Sequence, residues 1–345
     1  MIKLTTKGFI ALYTLLLTAV AAFPVQAIDA DQDVFSFDDF PLEDLLVYPD
    51  WFKHGFLELP DDLKEAVAND KQGIIVYFGQ KRCPYCKMLL ENNFALSDIT
   101  TYTRQHFDLI PIDIWSTEEV TTLNGEVVTQ RELALREKTN FTPSLIFYDA
   151  QGKEALRLRG YYPPYQFRAA LEYVVDGFYQ RESFPSYLAR GEANTVFEPG
   201  ELNEESFFIP PPHNLDRSRF PGQRPLVVYF EQGNCHACDV LHSEPLRDPA
   251  INKLVKGFDN VQLDIRSDTP VITPDGQKTT AKAWAKALGL FYTPSLIFFD
   301  EQGKEIIRVD SVVRFYRLRK VFNYITSRGY LTEPNYQRWR VNSEF

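Results

Sequence analysis

The chain has 345 residues, 44% hydrophobic and 24% charged, a balance that supports two domains with buried cores. That balance excludes a mainly disordered chain and a polytopic membrane protein. Lysine and arginine total 37 against 47 acids, a formal net charge of −10, which lacks the basic footprint of a general nucleic-acid binder.

The elements follow in chain order. Lys3 and Lys7 precede an apolar run from Gly8 to Ala22, and Val25-Gln26-Ala27 has the small residues of a cleavage site. Residues 1–27 therefore read as a secretory signal peptide. The rival reading is an uncleaved anchor, but the run falls short of the ~20 residues that span a bilayer. Cleavage removes two lysines and no acid, taking the net charge from −10 to −12. The mature protein is then expected in the periplasm, without stable membrane association, where a cysteine pair persists as a disulfide.

Residues 28–59 are an acidic, aromatic segment. Pro60-Asp61-Asp62-Leu63 predicts a helix start, with its N-cap at Asp61 or Asp62. From there the chain repeats itself. Ile74–Cys86 (IIVYFGQKRCPYC) and Leu226–Cys238 (LVVYFEQGNCHAC) agree at six of 13 positions, offset by 152. Thr142–Glu154 and Thr293–Glu305 agree at 11 of 13, offset by 151. Two copies at so long a period make a duplicated domain, not a solenoid. Each copy predicts a buried strand (74–78, 226–230), a Cys-x-x-Cys, a helical stretch and a second strand (109–114, 261–265). A hairpin at Asn124-Gly125 or Asp275-Gly276 comes next. A helix (130–138, 280–288), two more strands and a closing helix (165–181, 315–328) complete each copy. The domains are 60–181 and 225–330. Between them, 182–224 carries Pro185, Pro199, Pro210, Pro211, Pro212 and Pro221 and reads as a stiff, mostly extended linker, with Phe207-Phe208-Ile209 a possible anchor. Residues 331–345 are a C-terminal tail.

All four cysteines lie in the two Cys-x-x-Cys units, so no dense disulfide framework exists. Strand-to-helix placement puts Cys83 and Cys235 at helix N-termini, where the dipole and free N–H groups favour a thiolate. Pro84 suits the first helical turn. Lys81 and Arg82 add positive charge, and the Cys83 thiol is expected at roughly 3.5–7.5. In the second copy Glu231 and Asp239 oppose a thiolate, while a protonated His236 favours one. Cys86 and Cys238 are placed to resolve a mixed disulfide, and Tyr85 is a candidate substrate contact. Three other uses of the cysteines are weaker. Inert disulfides gain little from closing a two-residue loop, a four-cysteine zinc site would draw ligands from separate domains, and haem attachment needs a following histidine where Lys87 and Asp239 stand. His54, His106, His213 and His242 show no evident partner and read as surface or satisfied residues.

Cys83-Pro84-Tyr85-Cys86 together with Thr142-Pro143, and Cys235-His236-Ala237-Cys238 with Thr293-Pro294, resemble the thioredoxin superfamily. The Tyr-Phe before the cysteines, the Gly-containing hairpin, Thr-Pro-Ser-Leu-Ile-Phe and the Gln-Gly-Lys turn are similar to periplasmic thioredoxin-related proteins of sulfur-oxidation clusters. The resemblance to periplasmic disulfide isomerases is looser. It implies an α/β fold of two tandem thioredoxin-like domains, each a central mixed β-sheet flanked by helices. It also implies that Pro143 and Pro294 are cis and that Thr142, Pro143, Thr293 and Pro294 dock an extended substrate. The implied activity is thiol–disulfide exchange, as reductase or isomerase rather than oxidase. Its partners would be protein disulfides and a redox partner, with no bound cofactor or metal. One departure is that the buried aspartate of thioredoxin is replaced by Tyr77 and Tyr229. The reading from another class is a non-catalytic client-binding module.

Overall fold

The computed structural model describes residues 37–192 and 200–343. The signal peptide assigned to residues 1–27 lies outside the described residues. Among the described residues no helix is long and apolar enough to cross a membrane.

The first half begins with α1 (Leu59–Ala68) and β1 (Gly73–Gly79). The helix starts ahead of the expected cap. Pro60 stands in its first turn, where a missing N–H costs nothing, and Asp61 and Asp62 lie in that turn instead of capping it. Next come α2 (Pro84–Met88), prolonged by a wider turn over Leu89–Asn93, then α3 (Ser97–His106) and β2 (Phe107–Asp113). A hairpin of β3 (Glu119–Thr121) and β4 (Val127–Thr129) leads to α4 (Gln130–Arg136), β5 (Ser144–Asp149), β6 (Glu154–Arg159), α5 (Pro164–Val175) and α6 (Phe184–Glu192). Strand order is β2-β1-β5-β6, with β1 parallel to β2 and the other pairs antiparallel. Every residue of β1 is buried because helices cover both faces of the sheet. Ile75 and Tyr77 pack with Phe167 and Leu171 of α5. Ile74, Val76 and Phe78 pack on the other face with Leu59 of α1 and Leu133 of α4.

The second half repeats the plan. Its elements are β7 (His213–Asn214), β8 (Leu226–Glu231), α7 (His236–Ser243), α8 (Pro249–Val255), β9 (Asp259–Asp264), β10 (Pro270–Ile272) and β11 (Lys278–Thr280). Then follow α9 (Ala281–Ala287), β12 (Ser295–Phe299), β13 (Glu305–Val309), α10 (Phe315–Thr326), α11 (Gly329–Thr332) and α12 (Tyr336–Asn342). The order β9-β8-β12-β13 matches that of the first sheet. Ahead of β8 stands β7, paired in parallel with β10, rather than a counterpart of α1.

Two segments differ from their sequence reading. The interval 182–224 contains α6, because Phe184 and Leu188 recur at helical spacing and bury in the first core. Further along, the Phe208 ring packs 5.1 Å from that of Tyr229 in the second half. The C-terminal tail contains α12, whose Tyr336 and Trp339 join the second core.

The halves meet through equivalent residues. Phe141 precedes Thr142-Pro143 yet belongs to the second half's core, and Tyr292 precedes Thr293-Pro294 yet belongs to the first half's. Val312 N–H donates to Tyr161 O (3.1 Å), between positions 151 apart in the repeat. A Cβ at Gly160 would collide with the side chain of Ser311, its own counterpart, so glycine permits the approach. This is the self-complementary contact that two-fold dimers make, here within one chain.

Candidate functional site

Each site grows from the point where a buried strand turns into a helix. After β1, Cys83 takes an extended backbone and caps α2, its Sγ accepting the Cys86 N–H at 3.0 Å. Pro84 fills the first turn, and Cys83 and Cys86 form a disulfide. When that bond is reduced, the helix N-terminus favours negative charge on Cys83. The Thr142-Pro143 peptide is cis. It sets Thr142 Oγ1 3.3 Å and Thr142 O 3.6 Å from Cys83 Sγ. The Gln80 amide donates to Thr142 Oγ1 (2.8 Å), which leaves the hydroxyl proton free to point at sulfur. Trp115 Nε1–H donates to Gln80 Oε1 at 2.9 Å and fixes the amide.

The surroundings of Cys83 differ from the sequence reading. Tyr85, a candidate substrate contact, is 2% exposed. Its hydroxyl donates to Asp39 Oδ2 (2.7 Å) and accepts the Arg314 N–H (2.9 Å). The Arg317 guanidinium lies 3.3 Å from its ring centre. Lys81 and Arg82, the candidate thiolate-favouring charges, are exposed. Arg82 donates to the carbonyls of Leu42 and Glu43 on the N-terminal segment. The turn before the cysteines points these cations to water, where they are best solvated. Cys83 itself is 2% exposed because α10 and α12 of the second half close over it. Arg317 of α10 donates to Thr142 O (2.9 Å), and Gln337 of α12 donates to Asn140 O (3.0 Å).

In the second site Cys235 caps α7, accepts the Cys238 N–H at 3.1 Å and is disulfide-bonded to Cys238. Thr293 precedes a cis Pro294, with its Oγ1 3.5 Å from Cys235 Sγ. Cys235 is 7% exposed. His236 is exposed, and Ala237, the counterpart of Tyr85, packs against the first half's core. Glu231, read from sequence as an acidic flank, is fully buried. Strand alternation turns it inward on the same face as Tyr229. His242 Nε2 lies 3.0 Å from Glu231 Oε1, Gln262 Nε2 donates to Glu231 Oε2 (2.8 Å), and His242 Nδ1 lies 3.3 Å from Glu205 Oε1. Burial alone would push the His242 imidazole down, but these carboxylates raise it above its ordinary 6.5. Asp239 is exposed and accepts from Asn203 Nδ2 (2.9 Å). Tyr77 and Tyr229 are wholly buried, and burial raises both phenols well above their ordinary value. Neither serves as a proton acceptor near neutrality.

Asp39, Gln80, Arg317 and the Glu231–His242 pair escaped the sequence reading. Gln80 carried a usable signal, being one of the six identities in the first repeat window. Asp39 and Arg317 carried none, since both reach Cys83 from distant parts of the chain. Among the described residues no group of three or more His, Cys, Asp or Glu side chains is placed to hold a metal ion. Chemically, the arrangement supplies two dithiol–disulfide centres, each beside a Thr-Pro loop.

A family model described as a thioredoxin-like domain matches residues 59–175 and 212–326. No curated protein matches the chain. Among solved structures, a thioredoxin-fold protein from Helicobacter pylori is 24% identical, covering 43% of this chain and 94% of its own, with a TM-score of 0.35. A DsbH oxidoreductase is 17% identical over 38% of this chain and 92% of its own, TM-score 0.27. A disulphide isomerase from Xylella fastidiosa Temecula1 is 13% identical over 44% and 100%, TM-score 0.25.

Proposed function

The chain belongs to the thioredoxin-like domain family in both of its halves, and from that premise we propose that it is a periplasmic enzyme exchanging thiols and disulfides of other proteins, as reductase or isomerase. The Cys83 thiolate attacks a client disulfide, forming a bond to one client sulfur and expelling the other, which takes up a proton. Cys86 then attacks Cys83 Sγ and the mixed disulfide breaks. Two electrons have passed to the client, whose sulfurs leave as thiols while the Cys83–Cys86 disulfide forms. A protein redox partner returns the electrons. Cys235 and Cys238 act likewise, and the Thr142-Pro143 and Thr293-Pro294 loops present backbone to the client.

The observation that carries this reading is the capping of a helix by the first sulfur of each pair, at 3.0 and 3.1 Å from an N–H, beside a threonine hydroxyl. The leader-like N-terminus and the paired cysteines support an oxidising compartment. A second reading, a client-holding module with spectator cysteines, draws on the burial of Cys83 and Cys235, 2% and 7% exposed.

The test equilibrates the protein against glutathione or dithiothreitol buffers, traps thiols by alkylation and counts modified peptides for each pair. A potential near about −270 mV supports the reductase, and one near about −120 mV makes the protein an oxidase. In cells, exchange of Cys83 and Cys235 for serine abolishes the effect of an enzyme and spares that of a holding module.

A further inference from the structure

Arg317 is a buried cation with no salt-bridged carboxylate, and Asp39 attracts it only at longer range. It is 6% exposed on the first turn of α10. Among the described residues no carboxylate makes a salt bridge with its guanidinium, and Nη1 has no hydrogen-bond partner. Nη2 donates to Thr142 O at 2.9 Å, and the plane lies over the Tyr85 ring at 3.3 Å. The same carbonyl oxygen lies 3.6 Å from Cys83 Sγ. Arginine and sulfur thus converge on one atom and line one small cavity. A buried charge without a directly paired ion is costly, and in the oxidised site Arg317 has no anion in contact with its guanidinium, Asp39 acting on it only at longer range.

We propose that Arg317, supplied by the second half of the chain, is the counter-charge of the Cys83 thiolate in the reduced protein. The inference rests on the exchange reading above. Reduction by two glutathione thiols breaks the Cys83–Cys86 bond, yields glutathione disulfide and leaves Cys83 as thiolate and Cys86 as thiol, with the proton released to solvent. The thiolate then supplies a nearby negative charge where the guanidinium has no contacting anion. The other charged or titratable groups lining the cavity are Asp39, Arg340, Tyr85, Tyr316 and Tyr336. Asp39 is already engaged, accepting from the Tyr85 hydroxyl and from the backbone N–H groups of Tyr316 and Arg317. Arg340 turns toward Gln80 Oε1 at 3.3 Å. Arg317 is therefore a positioning residue that sets the charge state of Cys83 from across the domain boundary, a task the adjacent Lys81 and Arg82 do not perform.

The experiment uses the full chain. Arg317→Gln is expected to raise the Cys83 pKa by about one unit, read from thiolate absorbance against pH in a C86S background. With both cysteines present it is expected to shift the glutathione equilibrium of the first pair about tenfold toward disulfide, which is about 30 mV. Arg317→Lys restores most of both shifts. The Cys235–Cys238 equilibrium, measured in the same molecules, stays within about twofold. A merely structural role would move both pairs, since both lie at the contact between the halves. If exchange proceeds and the glutamine variant leaves the first pair unchanged, or moves both pairs alike, the proposal is wrong. If neither pair exchanges with glutathione in the parent protein, it is the exchange reading that fails. Should Arg317→Gln not fold, the surface variant K81Q/R82Q decides. The proposal requires its Cys83 pKa to stay within about 0.3 unit of the parent, and a rise of a full unit assigns the charge to the surface pair and overturns it.

Discussion

Glu231 and His242 show how far one strand position can separate the two halves. The counterpart of Glu231 in the first half is Gly79, where an added Cβ would run into the Tyr77 ring and the Tyr48 hydroxyl. The first half fills this space with a tyrosine from the N-terminal segment, and the second fills it with a carboxylate and its imidazole. Removing one partner of such a buried pair strands the other, so Glu231→Ala is expected to destabilise the second half by about 3 kcal/mol in urea unfolding. A loss below about 1 kcal/mol would mean that water replaces the carboxylate at little cost. The imidazole adds a pH signature. Its folded value is raised above 6.5, so the folded state holds the proton more tightly than the unfolded one. The associated stabilisation is complete below about pH 6.5 and fades as pH rises through the folded value. The alanine variant should lose that slope along with the stability.

At the scale of elements, α8 is held at its start by Asp248, whose Oδ1 accepts the N–H groups of Ala250 and Ile251 at 2.9 and 3.0 Å. Asp248→Ala is expected to cost about 1 kcal/mol, read as a lower urea midpoint with unchanged slope. Elements of this kind were legible in the sequence wherever a period or a turn signal marked them. Ile74–Phe78 and Leu226–Phe230 form the central strands, and the hairpins turn at Gly125 and Gly276, both at positive φ. The Thr142-Pro143 and Thr293-Pro294 peptides are cis, as the resemblance implied, and they set the threonine hydroxyls beside the sulfurs. What stayed illegible has a common cause. Prolines at 185, 199 and 210–212 dominate the reading of 182–224, yet Pro185 sits in the first turn of α6, where it does no harm. Tyr336 and Trp339 lie three apart in a polar stretch, and only the groove they fill reveals them as core. Tyr85 and Arg317 took their roles from a contact between halves that no local pattern encodes.

At the scale of the molecule, that contact carries its own titration. Asp310 follows β13 and is 9% exposed, with Oδ1 unpartnered. Burial raises its carboxyl to about 6, against the pull of Arg159 in the first half and Arg308 in the second. The folded state therefore binds this proton more tightly than the unfolded one, so the contribution of Asp310 to stability is greatest below about pH 4 and is lost as pH rises through 6. Asp310→Asn should remove the decline, adding about 3 kcal/mol at pH 7.5 and little at pH 4. Equal gains at both values would assign the effect to packing. The mutual exchange of Phe141 and Tyr292 between the two cores has a different consequence. A lid carried on the same chain cannot be diluted away. It acts at an effective concentration of order millimolar for a short linker, whatever the amount of protein present. A client of the kind proposed above, at micromolar concentration, would have to bind the Cys83 face ~1,000-fold more tightly than the second half does to displace it by mass action. Under that proposal, occupancy of this site is a competition against a contact within one molecule, decided by relative affinity and insensitive to how much of the protein is made.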